Sequence, residues 1–230
     1  MTIEHCWYKQ KCTNVCTSNC LRYKLMVALF KQSCLPESLW MCKDLILICS
    51  KQDKPAYTRL SRISDEITAF INNGDNLYIY SRNAGNGKTT WAVRLMYSYF
   101  DKIWHKSCFE CKALFINVPT FLYNCKRSIS QPVKGFEDLC NRIKDVDLVI
   151  WDDIAESDVT SFEHQILLQY IDGRINAGKS NIYTSNKDFG QLRDSIGERL
   201  ASRVYNCSEK IEFKEGDKRG VNNGRVANHK

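Results

Sequence analysis

The stretch NLYIYSRNAGNGKTTWAVRLMYSYF, residues 76–100, decides the fold of this chain. It begins with β-favouring residues from Leu77 to Tyr80, passes through a glycine-containing turn, and continues from Lys88 with apolar side chains at helical spacing. This order predicts a strand, a phosphate-binding loop and a helix. Backbone N–H groups at the start of such a helix bind phosphate oxygens, because they have no partner within the helix.

The loop supplies the groups that a nucleoside triphosphate and its magnesium ion need. Gly85 and Gly87 allow the backbone to turn its N–H groups inward. Lys88 provides an ammonium for the β and γ phosphates, and Thr89 provides a hydroxyl ligand for Mg²⁺. The alternative is a glycine-bearing βα turn that holds no ligand, but the order of strand, loop, Gly-Lys-Thr-Thr and helix favours a nucleotide.

One position departs from the phosphate-loop pattern G-x-x-x-x-G-K-[ST]. Arg82 stands six residues before Lys88, where the pattern has its first glycine. That glycine relieves a tight turn, so Arg82 either takes a negative φ or adopts a strained conformation. The departure leaves open whether the loop binds nucleotide as tightly as the full pattern does.

Polar side chains follow two later apolar strands. After VDLVIW, residues 146–151, Asp152 is placed to hold Mg²⁺ through water, and Asp153 to orient or deprotonate an attacking water. Capping the next helix is the alternative role for Asp153. After NIYT, residues 181–184, the neutral amide of Asn186 can hydrogen-bond a γ-phosphate or the attacking water.

Short apolar strands alternate with helices through most of the chain. The strands are predicted at residues 77–80, 113–118, 146–151, 181–184 and 211–213. This alternation predicts an α/β fold, a five-stranded parallel sheet covered by helices on both faces. Because the C-terminal ends of parallel strands meet at one edge, the loop, Asp152, Asp153 and Asn186 are expected to converge on one site.

Composition narrows the class of protein. The 230 residues are 43% hydrophobic and 26% charged, as in ordinary globular domains, and a formal charge of +7 favours an acidic partner such as nucleic acid. The longest apolar cluster, Leu45–Cys49, is far too short for a membrane span, and the first residues lack a secretion signal. We therefore expect a cytosolic protein with no membrane partner.

Residues 1–50 differ from the rest, with seven of the twelve cysteines and no glycine. They predict a small cysteine-rich helical domain, either a docking unit or a packing extension of the main domain. Residues 50–56, polar and proline-containing, mark the boundary, so that the main domain is 51–230. The tail from Lys214 onward is predicted to be mobile.

Four closely spaced cysteines in this first segment are candidate ligands for a tetrahedral Zn²⁺ ion. They are Cys6, Cys12, Cys16 and Cys20. Thiolates are good zinc ligands, and three of these sulfurs would share one face of a helix because of their C-x3-C spacing. Reduced thiols packed in a helical domain are the alternative, since a reducing compartment keeps ordinary disulfides open.

Four motifs, NAGNGKTTWA, DLVIWDDIAES, GKSNIYTSN and IGERLASRV, together resemble the ATPase domain of DnaC/DnaI-type helicase loaders, particularly those carried by phages of Gram-positive bacteria. IstB transposition helpers share this domain. The resemblance covers about residues 55–220. It implies an AAA+ P-loop core without a sizeable lid, and ATP and Mg²⁺ as cofactors.

The resemblance also implies roles for single residues. Asp152 and Asp153 match the Walker B motif, and Asn186 matches sensor 1. Arg203 matches the arginine finger, which reaches the γ-phosphate of a neighbouring subunit, and Arg199 lies in the same segment. Asp153 departs from the Glu that most AAA+ proteins have there. The residues expected around the nucleotide are those of the Walker A turn, Asn83, Ala84, Gly85, Asn86, Gly87, Lys88, Thr89 and Thr90.

Three partners are implied in the same way. A replicative hexameric helicase of the DnaB type would bind residues 1–50, and copies of the chain would form a hexameric or helical oligomer with Arg203 acting in trans. Single-stranded DNA would meet Lys126 and Arg127, although these cations are also compatible with a merely solvated face. The aromatic residues of the same segment, Phe121 and Tyr123, either stack on bases or, as we favour, belong to the core.

The function expected from the resemblance is ATP-dependent loading of a replicative helicase onto single-stranded DNA at the initiation of replication, in the cytoplasm of a bacterial host. Two alternatives stay open. The chain is either a non-hydrolysing adaptor of the helicase that nucleotide switches, or an IstB-like ATPase that assists a transposase.

Overall fold

The computed structural model describes residues 6, 12, 13, 15–17, 19–40, 51–103 and 110–217. The helices and strands, in chain order, are α1 (Leu21–Gln32), α2 (Lys54–Asp65), α3 (Ile67–Asn72), β1 (Asn76–Tyr80), α4 (Lys88–Ile103), β2 (Ala113–Asn117), α5 (Val118–Ser130), α6 (Phe136–Asp145), β3 (Leu148–Asp152), α7 (Ser161–Asn176), β4 (Ser180–Ser185), α8 (Phe189–Ile196), α9 (Glu198–Asn206) and β5 (Glu209–Glu212). A short 3-10 turn, Glu37–Leu39, follows α1.

The strands form one sheet in the order β2-β3-β4-β1-β5, and every neighbouring pair is parallel. From β1 the chain crosses to the far edge at β2, and then returns through β3 and β4 to lie beside β1 again. The C-terminal ends of β1, β3 and β4 are therefore adjacent at one edge of the sheet. The predicted five-stranded parallel sheet is confirmed.

Alternate side chains of each strand belong to opposite faces of the sheet. In β3, Leu148 and Ile150 join a core shared with α1–α4, whereas Val149 and Trp151 join a second core shared with α5–α9. All four side chains are fully buried. A strand that is covered on both faces needs apolar residues at successive positions, which is why its sequence lacks polar alternation.

Helix α1 packs into the first of these cores. The ring of Phe30 lies 4.9 Å from that of Tyr97 on α4, and the Phe115 N–H of β2 donates to the Ser33 carbonyl at 2.8 Å. Residues 21–40 are thus a packing extension of the sheet core, one of the two interpretations of the N-terminal segment. The predicted domain boundary and docking role depend largely on positions outside the described residues and stay predictions.

One predicted helix is divided into two. The helical spacing of apolar residues from Leu60 to Ile71 predicts a single helix, which the structure divides at Glu66 into α2 and α3. Farther along the chain, Gly197, whose φ is +79°, ends α8 before α9 begins. Helix α2 begins at Lys54, inside the boundary segment predicted for residues 50–56, and proline is favoured in a first helical turn.

The edge of the sheet opposite the loop is held by Arg174, which is buried. Its five N–H groups donate to Asn181 Oδ1 at 2.8 Å and to four backbone carbonyls at 2.6–3.3 Å. Those carbonyls belong to Ile143, Val146, Asp147 and Ser180. Burial lowers the pKa of Arg174 to about 10, so the guanidinium stays charged and joins α7 to the starts of β3 and β4.

Among the helices of the described residues, we find none that combines the length and the apolar composition needed to cross a lipid bilayer.

Candidate nucleotide site

The phosphate loop, residues 81–87, joins the end of β1 to the start of α4. Gly85 and Gly87 have φ values of +73° and +98°, which glycine adopts at little cost. Arg82 does not have a positive φ, so the loop accommodates a side chain at the position where the pattern has its first glycine. Of the two conformations that the sequence left open for Arg82, the unstrained one is observed.

Lys88 folds back into this loop. Its buried Nζ donates to the Asn83 carbonyl at 2.9 Å and to Asn86 Oδ1 at 3.0 Å. The amide nitrogen of Asn86 in turn donates to Ser81 Oγ. These bonds hold the ammonium at the N-terminus of α4, where nucleotide sites bind phosphate oxygens.

Two hydroxyls bind one oxygen of Asp152, at the end of β3. Thr89 Oγ1 from α4 and Thr184 Oγ1 from β4 each donate to Asp152 Oδ1 at 2.7 Å. Burial, and to a smaller extent the charge of Asp153, raise the pKa of Asp152 to about 6, although both hydroxyl donors oppose the rise. A hydroxyl and a carboxylate are hard oxygen ligands, so the donors brought together here fit Mg²⁺.

Asp153 occupies the left-handed region of backbone space, with φ +57°. Its N–H donates to Thr184 Oγ1 at 3.0 Å, and its side chain is half-buried beside Asp152. Asp and Asn enter this region more readily than other non-glycine residues, which gives a physical reason for Asp rather than Glu here. The helix-capping role is wrong, because α7 is capped by Thr160.

Asn186 follows directly on β4 and has an exposed side chain. Two contacts join its segment to the phosphate loop. Ser81 N donates to the Ser185 carbonyl at 3.2 Å, and Arg82 Nη2 lies 2.9 Å from Asp188 Oδ2. The loop, both acidic residues and Asn186 are therefore at the same edge of the sheet, as the sequence predicted.

Thr184 is a site residue that the sequence patterns did not reveal. It contacts both the carboxylate of Asp152 and the backbone of Asp153. The signal available was a hydroxyl residue near the carboxyl end of a strand, Ser180–Ser185, that is buried along its whole length. Such a residue also serves as an ordinary strand position, so its role becomes visible only when β3 is placed beside β4.

Comparison with known proteins adds a fold relationship to this geometry. No protein-family model matches the sequence, and a comparison with curated proteins finds no match. The crystal structure of the DnaC helicase loader matches 78% of this chain and 100% of its own chain, with a TM-score of 0.64 and 16% identity. That of DnaI matches 77% of this chain and 94% of its own, with a TM-score of 0.61 and 17% identity. The chain has the fold of DnaC and DnaI.

A third structure, of a replication initiator, shares this fold over part of its length. The replication initiator DnaA, bound to AMPPCP and single-stranded DNA, matches 76% of this chain and 49% of its own, with a TM-score of 0.57 and 16% identity. The chain thus spans about half the length of that DnaA structure. At these identities the comparisons establish the fold alone, and the chemistry has to be argued from the residues of this chain.

Arg203 lies on α9. Its Nε is 2.8 Å from Asp172 Oδ1 on α7, and its side chain is 40% exposed. This ion pair is not with the phosphate loop or the acidic residues of β3, so within one chain Arg203 is engaged elsewhere. Its assignment as an arginine finger for a neighbouring subunit stays a prediction. Arg199, in the same helix, is exposed.

Helix α5 carries the residues predicted to contact DNA. Lys126 Nζ pairs with Glu163 Oε1 at 3.0 Å, whereas Arg127 is exposed. Phe121 is buried, so its predicted core position is confirmed, but the same prediction is wrong for Tyr123, which is 64% exposed. Tyr123 and Arg127 are four residues apart and share the solvent side of the helix, where helical spacing separates them from the buried positions.

The predicted zinc site is not supported. The sulfurs of Cys6, Cys12, Cys16 and Cys20 are free thiols, and among the described residues no three histidine, cysteine or acidic side chains form a group that holds a metal. The physical reason lies in the backbone. Their C-x3-C spacing aligns sulfurs only on a helix, and α1 begins at Leu21, after the last of them.

The chain beyond β5 returns to the phosphate loop through Lys214–Asp217, a segment that we call the strap. The Glu215 carbonyl accepts hydrogen bonds from Asn83 Nδ2 and Asn86 Nδ2, each at 3.3 Å. The composition that predicts a mobile tail gives no sign of these contacts, because they use the backbone of the strap. Residues 218–230 lie outside the described residues.

Proposed function

We propose that this chain is an ATP-dependent loader that binds a replicative helicase of the DnaB type and places it on single-stranded DNA when replication begins. The observation that carries the proposal is the meeting of Thr89, Asp152 and Thr184 beside the phosphate loop, in a fold shared with the DnaC helicase loader. In a glycine turn that binds no ligand, nothing would favour a buried carboxylate hydrogen-bonded to the first turn of the following helix, as Asp152 is to α4.

Each site residue has a defined part in binding and turnover. The loop N–H groups and the Lys88 ammonium bind the phosphates of ATP, as in other phosphate loops. The Thr89 hydroxyl and the Asp152 carboxylate would hold Mg²⁺, directly or through water, and the bound ion neutralises charge that develops on the phosphates. Asp153 orients the attacking water, and Asn186 donates to the γ-phosphate or to that water.

Hydrolysis is proposed to depend on assembly, because Arg203 is engaged with Asp172 and would act on the nucleotide of a neighbouring copy in a hexameric or helical oligomer. Arg203→Ala should lose hydrolysis and retain nucleotide binding. The matched control is Asp172→Asn, which breaks the same ion pair and leaves the guanidinium in place. If both variants lose hydrolysis equally, the pair is structural and the finger assignment is wrong.

Single-stranded DNA is the proposed nucleic-acid partner, on the side of α5 where Tyr123 and Arg127 are exposed. An aromatic ring can stack on a base, and a guanidinium can neutralise a phosphate, so binding should weaken as salt concentration rises. Arg127→Ala should reduce that salt dependence. Lys126→Ala should reduce it less, because Lys126 already has Glu163 as its partner.

Native mass spectrometry of the full chain with the host helicase tests the loader proposal. With ATP present we expect a complex of several copies of the chain with the hexameric helicase, and Lys88→Ala should prevent the effect of ATP. A chain that stays monomeric and ignores both ATP and helicase would exclude loading.

A second candidate is an adaptor that nucleotide switches without hydrolysis. The observation that favours it is the short side chain of Asp153, fixed in the left-handed region, which reaches less far toward an attacking water than Glu does. ATP turnover measured with helicase and single-stranded DNA separates the two candidates. Turnover that stays absent under those conditions supports the adaptor.

A further inference from the structure

The strap begins from a fixed point in the core. Phe213, at its start, is buried, and its ring lies 5.6 Å from that of Tyr57 on α2. The next two backbone N–H groups, of Lys214 and Glu215, donate to Asp53 Oδ1 at 2.8 and 3.4 Å. Asp53 is fully buried beside the start of α2, so it directs the strap toward the phosphate loop.

Two asparagines of the loop bind both the strap and the site lysine. Asn83 and Asn86 donate through their side-chain amides to the Glu215 carbonyl, each at 3.3 Å. The same two residues accept from Lys88 Nζ, through the Asn83 carbonyl and Asn86 Oδ1. The position of the strap is therefore linked to the position of the Lys88 ammonium, the group proposed to bind the phosphates.

The carboxylate of Asp217 lies directly over Gly85. A Cβ placed on Gly85 would overlap Cγ and Oδ1 of Asp217 and would come within 2.8 Å of its Oδ2. The N-terminus of a helix attracts anions, and here the loop leads into the N-terminus of α4. The carboxylate of Asp217 thus occupies space next to Gly85. A phosphate group has to approach the backbone of the same glycine.

We propose that the strap is an internal competitor of the nucleotide, so that ATP enters the phosphate loop only when Glu215 and Asp217 leave it. This inference rests on the proposed nucleotide site. The apparent dissociation constant then equals the intrinsic one divided by the fraction of molecules whose strap is released. A partner that binds the released strap raises the affinity for ATP without touching the nucleotide.

Titration of the full chain with a fluorescent ATP analogue and Mg²⁺ tests this competition. Asp217→Ala removes the carboxylate over Gly85, and we expect binding about tenfold tighter than in the wild type, as loss of one or two hydrogen-bond-sized contacts from the closed strap implies. The matched control is Glu212→Ala, which removes an exposed carboxylate of β5 outside the strap. We expect the control to bind like the wild type.

Hydrogen exchange on the wild-type chain is a second test, and it does not depend on removing the charge of Asp217. Hydrogen exchange at the amides of Lys214 and Glu215 should be slow in the free wild-type chain and faster with saturating AMPPCP, because the strap has to leave the loop. Amides that stay equally protected with the nucleotide bound would overturn the inference.

The outcomes separate this inference from the function on which it rests. If all three proteins bind the analogue equally and Lys88→Ala abolishes binding, the strap does not compete and the nucleotide site stands. If no variant binds the analogue, Asp217→Ala included, the nucleotide site itself is wrong and the strap inference falls with it.

Discussion

Replacing Asp152 with Asn should make the protein more stable and remove its response to Mg²⁺. The carboxylate is 5% exposed, and burial is the main reason that its pKa rises from an ordinary 3.8 to about 6. At neutral pH the carboxylate of Asp152 is ionised, and the burial of this charge destabilises the folded state. Asn keeps an oxygen that accepts from Thr89 and Thr184 and carries no charge to desolvate.

The size of the effect follows from the shift. A rise of about two units at roughly 1.4 kcal/mol per unit gives an upper limit of about 3 kcal/mol at neutral pH. The new amide N–H₂ group also needs partners, so we expect a gain of about 1–2 kcal/mol in the free energy of unfolding. Nucleotide should stabilise the wild type in a Mg²⁺-dependent way and should lose that dependence in Asp152→Asn.

The shifted pKa of Asp152 also determines how the stability difference changes with pH. The folded pKa of Asp152 lies above the unfolded one, so the folded state binds the proton more tightly, and stability is highest below the unfolded pKa. The contribution of Asp152 to stability falls as pH rises from about 4 to about 6, and then stays level. Asn does not titrate, so the advantage of Asp152→Asn should be full at about pH 7.5 and small at about pH 4.

Urea unfolding of both proteins at these two pH values measures the difference, and titrating groups that do not interact with Asp152 cancel because they are shared. Asp145→Asn, at an exposed carboxylate on α6, is the control and should be neutral at both. The reasoning is refuted if Asp152→Asn is less stable than the wild type at neutral pH, or if its advantage is the same at both pH values.

Three further substitutions test separate parts of the structure. Arg174→Ala should cost about 3–5 kcal/mol in urea unfolding, because it leaves several buried carbonyls without donors, and a loss below about 1 kcal/mol would contradict its role at the sheet edge. Asp153→Glu should cost about 1 kcal/mol because of its left-handed backbone and should not speed ATP turnover; faster turnover would mean that reach limits the wild type. Arg82→Gly should cost about 1 kcal/mol through the exposed pair with Asp188 and the freer backbone, and should leave nucleotide affinity unchanged in a titration. Affinity improved tenfold or more would show that Arg82 weakens the loop.

The strands and the loop were predictable from sequence because their causes are local. Residues 76–100 carry β-favouring residues, glycines with positive φ and helical spacing in the order in which they fold. Asp152 was predictable as well, since an acidic residue that ends an apolar parallel strand lies at the ligand edge of such a sheet.

What sequence could not predict depends on contacts between distant parts of the chain. Thr184 has a role only because β4 lies beside β3, and Asn83 meets the strap only because β5 lies beside β1. The strap is bound through its backbone, which any sequence supplies equally. The packing of α1 joins Phe30 to Tyr97 across more than sixty residues of sequence, and no periodicity records that pairing.

Binding of an ATP analogue to the full chain, with Mg²⁺ or with a chelator, tests the nucleotide site most directly. We expect Mg²⁺-dependent binding in the wild type, tighter binding in Asp217→Ala, and none in Lys88→Ala, which loses the buried ammonium held in the loop. Binding that survives Lys88→Ala unchanged, or that is absent from both the wild type and Asp217→Ala, would contradict the assignment of residues 81–90 and Asp152 as a nucleotide site.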